Sequence, residues 1–130
     1  MKNEVIQDII NRNKLGTITF PEVVEILSKE KIESYHVDFL RNENRYYGIN
    51  GESVVMKTDH LQKSIPEKFS IEQFQSVLKK VQNGKINYET FCEEIKSLGC
   101  VYYIVYITGK RVHYMGRQGE EHIENFDFSK

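Results

Sequence analysis

The chain contains an internal repeat that spans nearly its whole length. Sliding the sequence against itself by 68 residues aligns Gly16 with Gly84 and Ile18 with Ile86. The same offset pairs further identical residues: Glu25 with Glu93, Tyr35 with Tyr103, Val37 with Val105, Tyr46 with Tyr114, Gly48 with Gly116, Gly51 with Gly119 and Glu52 with Glu120. A match of this length predicts two copies of one supersecondary unit, each too small to bury a core alone.

Each copy carries the pattern of two helices. In the second copy Ser70 is a good N-cap, Gln73 follows three residues later, and Phe69 is placed to pack on Phe74. In the first copy the segment from Thr19 to Glu22 has the spacing of a capping box. The sequence therefore predicts four helices in all.

Three strands follow the helices in each copy. Residues 34–40 alternate, so that Tyr35 and Val37 face one side and His36 and Asp38 face the other. Similar patterns predict the remaining strands at 44–48, 53–57, 101–108, 112–116 and 121–126. Glycines three apart, at 48 and 51 and again at 116 and 119, are typical of tight hairpins. The strand at 101–107 is apolar on both faces, which predicts a central strand covered on both sides.

These patterns predict an α+β fold in one domain covering residues 1–130. It is a tandem duplication of an α-α-β-β-β unit, in which an antiparallel sheet packs with about four helices. The first repeat covers residues 1–57, a polar linker covers 58–68, and the second repeat covers 69–125. A content of 39% hydrophobic and 28% charged residues suits a soluble globular protein of this size.

Charge and hydropathy exclude several classes of partner. The formal net charge of -1 gives no broad attraction to nucleic acid or to anionic membrane. The longest apolar run, at 101–107, is too short to span a bilayer. The N-terminal residues lack the basic and apolar regions of a secretory signal. We therefore expect a cytoplasmic protein with neither a membrane nor a nucleic-acid partner.

Cysteine and histidine spacing does not indicate a metal or cofactor. Cys92 and Cys100 align with Val24 and Ile32 of the first copy, so both are predicted to lie in the core. The four histidines show none of the spacings typical of zinc ligands, and no nucleophile motif is present. We expect no metal, no cofactor and no catalytic residue.

The candidate binding residues lie on the predicted strands. His36 and Asp38 share a strand face, where a His–carboxylate pair could orient a general base or simply be solvated. Tyrosines surround them, and tyrosine supplies amphipathic contact area. The candidate binding residues are His36, Asp38, Arg45, Tyr47, His113 and Arg117.

We favour a non-enzymatic binding or interaction module over an enzyme. Its expected partner is a second copy or another protein, bound through the tyrosine-bearing strands. The alternative is a small enzyme or a small-ligand-binding protein with a pocket near the strand that contains His36 and Asp38.

Two stretches resemble a known family. Residues 33–39 with Tyr46 and Tyr47 are similar to the first half of the YbcV-like family, and residues 99–103, 108–112 and 114–120 are similar to its second half. The members are small uncharacterised bacterial or prophage proteins, some of them labelled phage envelope protein. The resemblance implies a phage-related or bacterial single-domain protein, and it brings no catalytic residues with it.

Overall fold

Helices and strands follow one another in the same order in the two halves of the chain. The computed structural model describes residues 2–128. The first half contains α1 (Asn3–Leu15), α2 (Phe20–Lys29), β1 (Ile32–Asp38), β2 (Glu43–Gly48) and β3 (Ser53–Lys57). The second contains α3 (Ile71–Gln82), α4 (Tyr88–Ser97), β4 (Cys100–Tyr106), β5 (Arg111–Gly116) and β6 (Glu121–Asn125). This confirms the predicted α+β class, whereas the origin of the two halves by duplication stays a prediction.

Local side-chain caps begin α2 and α3 where the sequence placed them. The Thr19 hydroxyl accepts from the Glu22 amide while the Glu22 side chain accepts from the Thr19 amide, which completes the predicted capping box. Ser70 caps α3 through the Gln73 amide, and the Phe69 and Phe74 rings meet edge to face at 5.3 Å. Each cap satisfies backbone donors that the first helical turn leaves free.

The six strands form one antiparallel sheet in the order β3-β2-β1-β4-β5-β6. The two halves meet at its centre, where β1 pairs with β4. In that pair His36 lies opposite Ile104, Ser34 opposite Tyr106 and Asp38 opposite Tyr102. Since 36 and 104 are also 68 apart, the local pairing has the pattern of a twofold axis through this residue pair.

The hydrophobic core lies on one side of the sheet only. Alternate residues of the central strands, including Tyr35, Val37, Tyr103 and Val105, point to the helices and are buried. Both cysteines are buried there too, as predicted. The expectation that β4 is covered on both sides is wrong, because Tyr102 on its other face is 37% exposed. The strand is central in the sheet, yet the helices cover one face.

The linker between the halves is fixed at several points. The Asn42 side chain accepts from the Thr58 hydroxyl and the His60 amide and donates to the His60 carbonyl. The buried Lys96 ammonium donates to the Leu61 carbonyl, and Arg117 Nε donates to the Ile65 carbonyl at 3.0 Å. These contacts bind residues 58–65 to both halves of the domain.

The segments that follow β3 and β6 make corresponding contacts. After β3, the His60 ring lies 6.3 Å from the ring of Tyr88, the first residue of α4. After β6, the Phe128 ring lies 5.9 Å from the ring of Phe20, the first residue of α2. Each tail therefore packs on a helix of the other half, which ties the halves together outside the sheet.

Candidate functional site

The uncovered face of the sheet, here called the open face, carries a continuous cross-strand row. In register, it runs from β3 to β6 as Val55, Arg45, His36, Ile104, His113 and Ile123. The row is apolar at both edges, where Val55 and Ile123 are 55% and 44% exposed, and again at Ile104. This combination of apolar and imidazole side chains differs from the charged surface usual for a solvated sheet face.

Aromatic side chains lie beside this row. Ser34 is paired with Tyr47 on one side and with Tyr106 on the other, so two tyrosines lie on either side of a small residue. The Tyr47 ring lies 5.0 Å from the His36 ring, and the Tyr106 ring meets the His113 ring edge to face at 4.9 Å. These contacts hold the rings in place, which lowers the entropy that a partner must remove on binding.

His36 lies at the centre of the open face. Partial burial and the neighbouring Arg45 guanidinium lower the pKa of His36 below its ordinary value. A neutral imidazole at neutral pH offers a weakly solvated ring rather than a charge. His36 thus suits a contact surface better than an anion site.

Asp38 and Glu43 form a nearly buried carboxylate pair at one end of the open face. Asp38 accepts hydrogen bonds from the Leu40 and Arg41 amides, and Arg45 Nη2 lies 3.6 Å from its other oxygen. Glu43 has Arg41, Arg45 and Lys57 within 3.4, 3.8 and 3.9 Å. Because backbone amides and the Arg45 guanidinium contact the Asp38 oxygens, Asp38 stabilises the β1–β2 turn, and within residues 2–128 no hydrogen bond joins it to His36.

His113 is held by its own strand neighbour. Its Nδ1 lies 3.1 Å from Glu121 Oε2, across the β5–β6 pair. Its Nε2 is buried and has no hydrogen-bond partner within residues 2–128. The contacts with Glu121 and Tyr106 leave the imidazole edge fixed within the aromatic part of the open face.

Five of the six candidate residues lie on the strands of the open face, and Arg117 does not. Arg117 is in the β5–β6 turn, where its guanidinium holds the linker through Ile65. Among the tyrosines of the strands, Tyr47, Tyr102 and Tyr106 lie on the open face. Their neighbours Tyr46, Tyr103 and Tyr114 are buried under the helices.

A small polar cavity that the sequence did not reveal lies on the helical side of the sheet. His60 and Glu89 line it together with Asn44 and Lys14, and His60 Nδ1 lies 3.6 Å from Glu89 Oε1. Burial, together with the nearby Lys96 ammonium, lowers the pKa of His60 to about 4. The cavity volume is about 20 Å³, near that needed for one water molecule and far below a metabolite site. Neither His36 nor Asp38 lines it.

The described residues offer no obvious metal or nucleophile chemistry. Within residues 2–128 there is no group of three or more His, Cys, Asp or Glu side chains placed to hold a metal ion. Burial raises the pKa of the Cys92 thiol, and it raises that of Cys100 to about 12. Both thiols are therefore protonated at neutral pH and poor nucleophiles. In the same span, every helix is too short or too polar to cross a bilayer.

Comparison with known proteins places nearly the whole chain in one family. A family model described as "Protein of unknown function (DUF1398)" matches residues 7–125. The match covers all six strands, and so both the open face and the polar cavity. No curated protein matches the chain.

Proposed function

We propose that this chain, which belongs to the DUF1398 family of proteins of unknown function, is a non-enzymatic interaction module that binds a second copy of itself. The contact surface is the open face of the sheet. The observation that supports this most directly is the uncovered row of Val55, Ile104 and Ile123 with the rings of Tyr102 and Tyr106 beside it. Exposed apolar and aromatic side chains grouped on one face of a sheet favour a contact site over a solvated face.

The apolar part of the open face is concentrated in the second half of the chain. In β1 and β2 the face carries the ionic group of Asp38, Glu43 and Arg45. In β4, β5 and β6 it carries the apolar and aromatic residues Tyr102, Ile104, Tyr106, Met115 and Ile123, beside the polar residues Arg111, His113, Glu121 and Asn125. The contact is therefore centred on Ile104, with the ionic group near its rim.

A second copy suits this face in charge and in shape. The net charge of -1 gives two copies almost no long-range repulsion. Two antiparallel sheets pack face to face at about 10 Å when their facing side chains are apolar. A twofold contact between two such faces pairs each apolar half with its own equivalent.

Light scattering on purified protein tests the face contact. Ile104→Lys puts a charge at the centre of the apolar region, so it should halve the mass of the assembly. The fold should tolerate this change, because the residue opposite Ile104 at the centre of the same face is the polar His36. Ile49→Lys is the matched control, since Ile49 is 61% exposed in the turn after β2 and does not belong to the cross-strand row. A wild-type monomer, or equal masses for both variants, would refute the proposal.

The alternative, an enzyme or a small-ligand-binding protein near His36 and Asp38, has less support. The Asp38 oxygens are occupied, and neither residue lines a cavity described above. The resemblance to the YbcV-like family, and the phage association that some of its members carry by name, stay predictions. The proposed contact does not depend on them.

A further inference from the structure

The outer edge of β6 is a second candidate contact, because its backbone groups are free. The Phe126 amide donates to the Lys110 carbonyl, and the Gly116 amide donates to the Glu120 carbonyl. In an antiparallel pair hydrogen-bonded positions alternate, so the even-numbered residues of β6 face β5. The amides and carbonyls of Glu121, Ile123 and Asn125 therefore point outward. Within residues 2–128 none of these groups makes a further hydrogen bond.

We propose that β6 pairs with β6 of a second copy, in antiparallel register centred on Ile123. This register places Ile123 opposite Ile123 of the partner subunit, and Glu121 opposite Asn125 of the partner subunit. These are the outward-pointing residues, so each pair exchanges two backbone hydrogen bonds, about six in all. An exposed edge strand is a ready template for this pairing.

The side chains of β6 are complementary to themselves in this register. His122 lies opposite Glu124 of the partner subunit, and Glu124 lies opposite His122 of the partner subunit. These are non-hydrogen-bonded pairs, in which opposite side chains come closest. Within one chain His122 Nε2 already lies 3.1 Å from Glu124 Oε1, so the contact forms a ring of alternating partners. On the open face, the exposed Ile123 side chains cover each other.

There is also space beside β6 for a partner strand. A groove of about 240 Å³ lies between α3 and β6, lined by Gln75, Leu78, Lys79, Gln82, His122 and Glu124. It leaves room for the side chains of a partner strand on the helical side of the sheet. The resulting assembly is one twelve-stranded sheet with a continuous open face. Its twofold axis is perpendicular to the sheet, so this contact is compatible with the face contact in a single closed tetramer.

Proline substitution tests the edge without touching bonds inside the chain. Ile123→Pro removes an outward amide, and proline is tolerated on an edge strand where the amide faces solvent. We expect this variant to halve the mass of the assembly measured by light scattering, with an unchanged circular dichroism spectrum. Ser53→Pro is the matched control. Ser53 is an edge residue of β3 outside the cross-strand row, and the Gly48–Glu52 and Asn42–Thr58 hydrogen bonds show that its amide also points outward. The control should keep the wild-type mass.

Amide hydrogen exchange on the wild-type protein gives a readout that needs no variant. If β6 pairs with a second copy, the amides of Glu121, Ile123 and Asn125 become protected as protein concentration rises. The outward amides of Ser53, Val55 and Lys57 on β3 stay fast. Fast exchange at all six positions, or loss of mass in Ser53→Pro instead of Ile123→Pro, would overturn the edge contact. Since Ile104→Lys separates only the face contact, either contact can fail while the other stands.

Discussion

At the scale of single residues, Gly99 has two independent reasons to be glycine. Its φ of 107° lies in a region that side chains disfavour, and an added Cβ would lie 2.7 Å from Phe69 Cα. The atom it meets is backbone, which cannot rotate away. Glycine is therefore required at the junction between α4 and β4, where the backbone at the end of the linker packs directly against it.

We expect Gly99→Ala to lower the free energy of unfolding by about 3 kcal/mol, since conformational strain and a backbone clash combine. Urea denaturation measures the change. Gly84→Ala is the control, because its φ of 73° is similar in sign but an added Cβ meets nothing within 4 Å. That variant should lose about 1 kcal/mol. Equal losses in the two variants would show that the close approach to Phe69 has no energetic weight.

His60 makes stability depend on pH. Its pKa is about 4 in the folded chain against an ordinary value of 6.5, so the unfolded chain takes up the proton first. Stability should thus be highest above about pH 6.5 and fall as the pH drops towards about 4, by about 3 kcal/mol from this group. Urea denaturation of wild type and His60→Phe at both ends of this range isolates the contribution. The variant should lose less stability than wild type, and an identical pH slope would contradict this.

The candidate residues show how far sequence reasoning reaches at this scale. Strand alternation placed His36 and Asp38 on the face opposite to Tyr35 and Val37, because side chains alternate with a period of two. The same reasoning could not show that the Asp38 carboxylate bonds to the turn amides, since that depends on how the chain folds back. The cavity at His60 could not be predicted from the sequence, because its residues come from α1, β2, the linker and α4.

At the scale of elements, helix starts were readable because caps are local. The Thr19–Glu22 box and the Ser70 cap need only residues three apart. Whether helices cover one face of β4 or both could not be predicted in the same way. An apolar strand face looks the same in sequence whether helices of its own chain or another molecule cover it.

Loss of the α2 cap should have a measurable cost. Thr19→Ala removes the hydroxyl that accepts from the Glu22 amide and should lower the free energy of unfolding by about 1 kcal/mol. Thr90→Ala makes the same chemical change in the first turn of α4, where the cap is Asn87 instead. Since alanine favours helix, the control should be neutral or slightly stabilising. Thermal or urea unfolding compares the two, and a neutral Thr19→Ala would contradict the capping role.

At the scale of the whole molecule, the two halves share one sheet and one core. The repeat indicated two equivalent units but did not indicate which strands meet. The structure places β1 against β4, so the central pair of the sheet joins the halves. The 68-residue offset of the repeat does not predict which strands join the halves, because any strand of one unit could pair with its equivalent in the other.

Fragments covering residues 1–57 and 69–130 should each be unfolded alone and fold when mixed. Each lacks one of the two strands that pair with its own first strand, and each exposes half of a common core. Circular dichroism of the separate and mixed fragments measures this. A fragment of either half that folds as a monomer by itself would show that the halves are independent domains, against the shared core.

The single-sided covering of the sheet has an evolutionary consequence. Along β4, Val101, Tyr103 and Val105 are buried under the helices, while Tyr102, Ile104 and Tyr106 lie on the open face, outside the core. Substitutions at the open-face positions can therefore change which molecules the sheet binds, while selection for core packing constrains the buried positions. Homologues can therefore differ in their binding partners and still share the same fold.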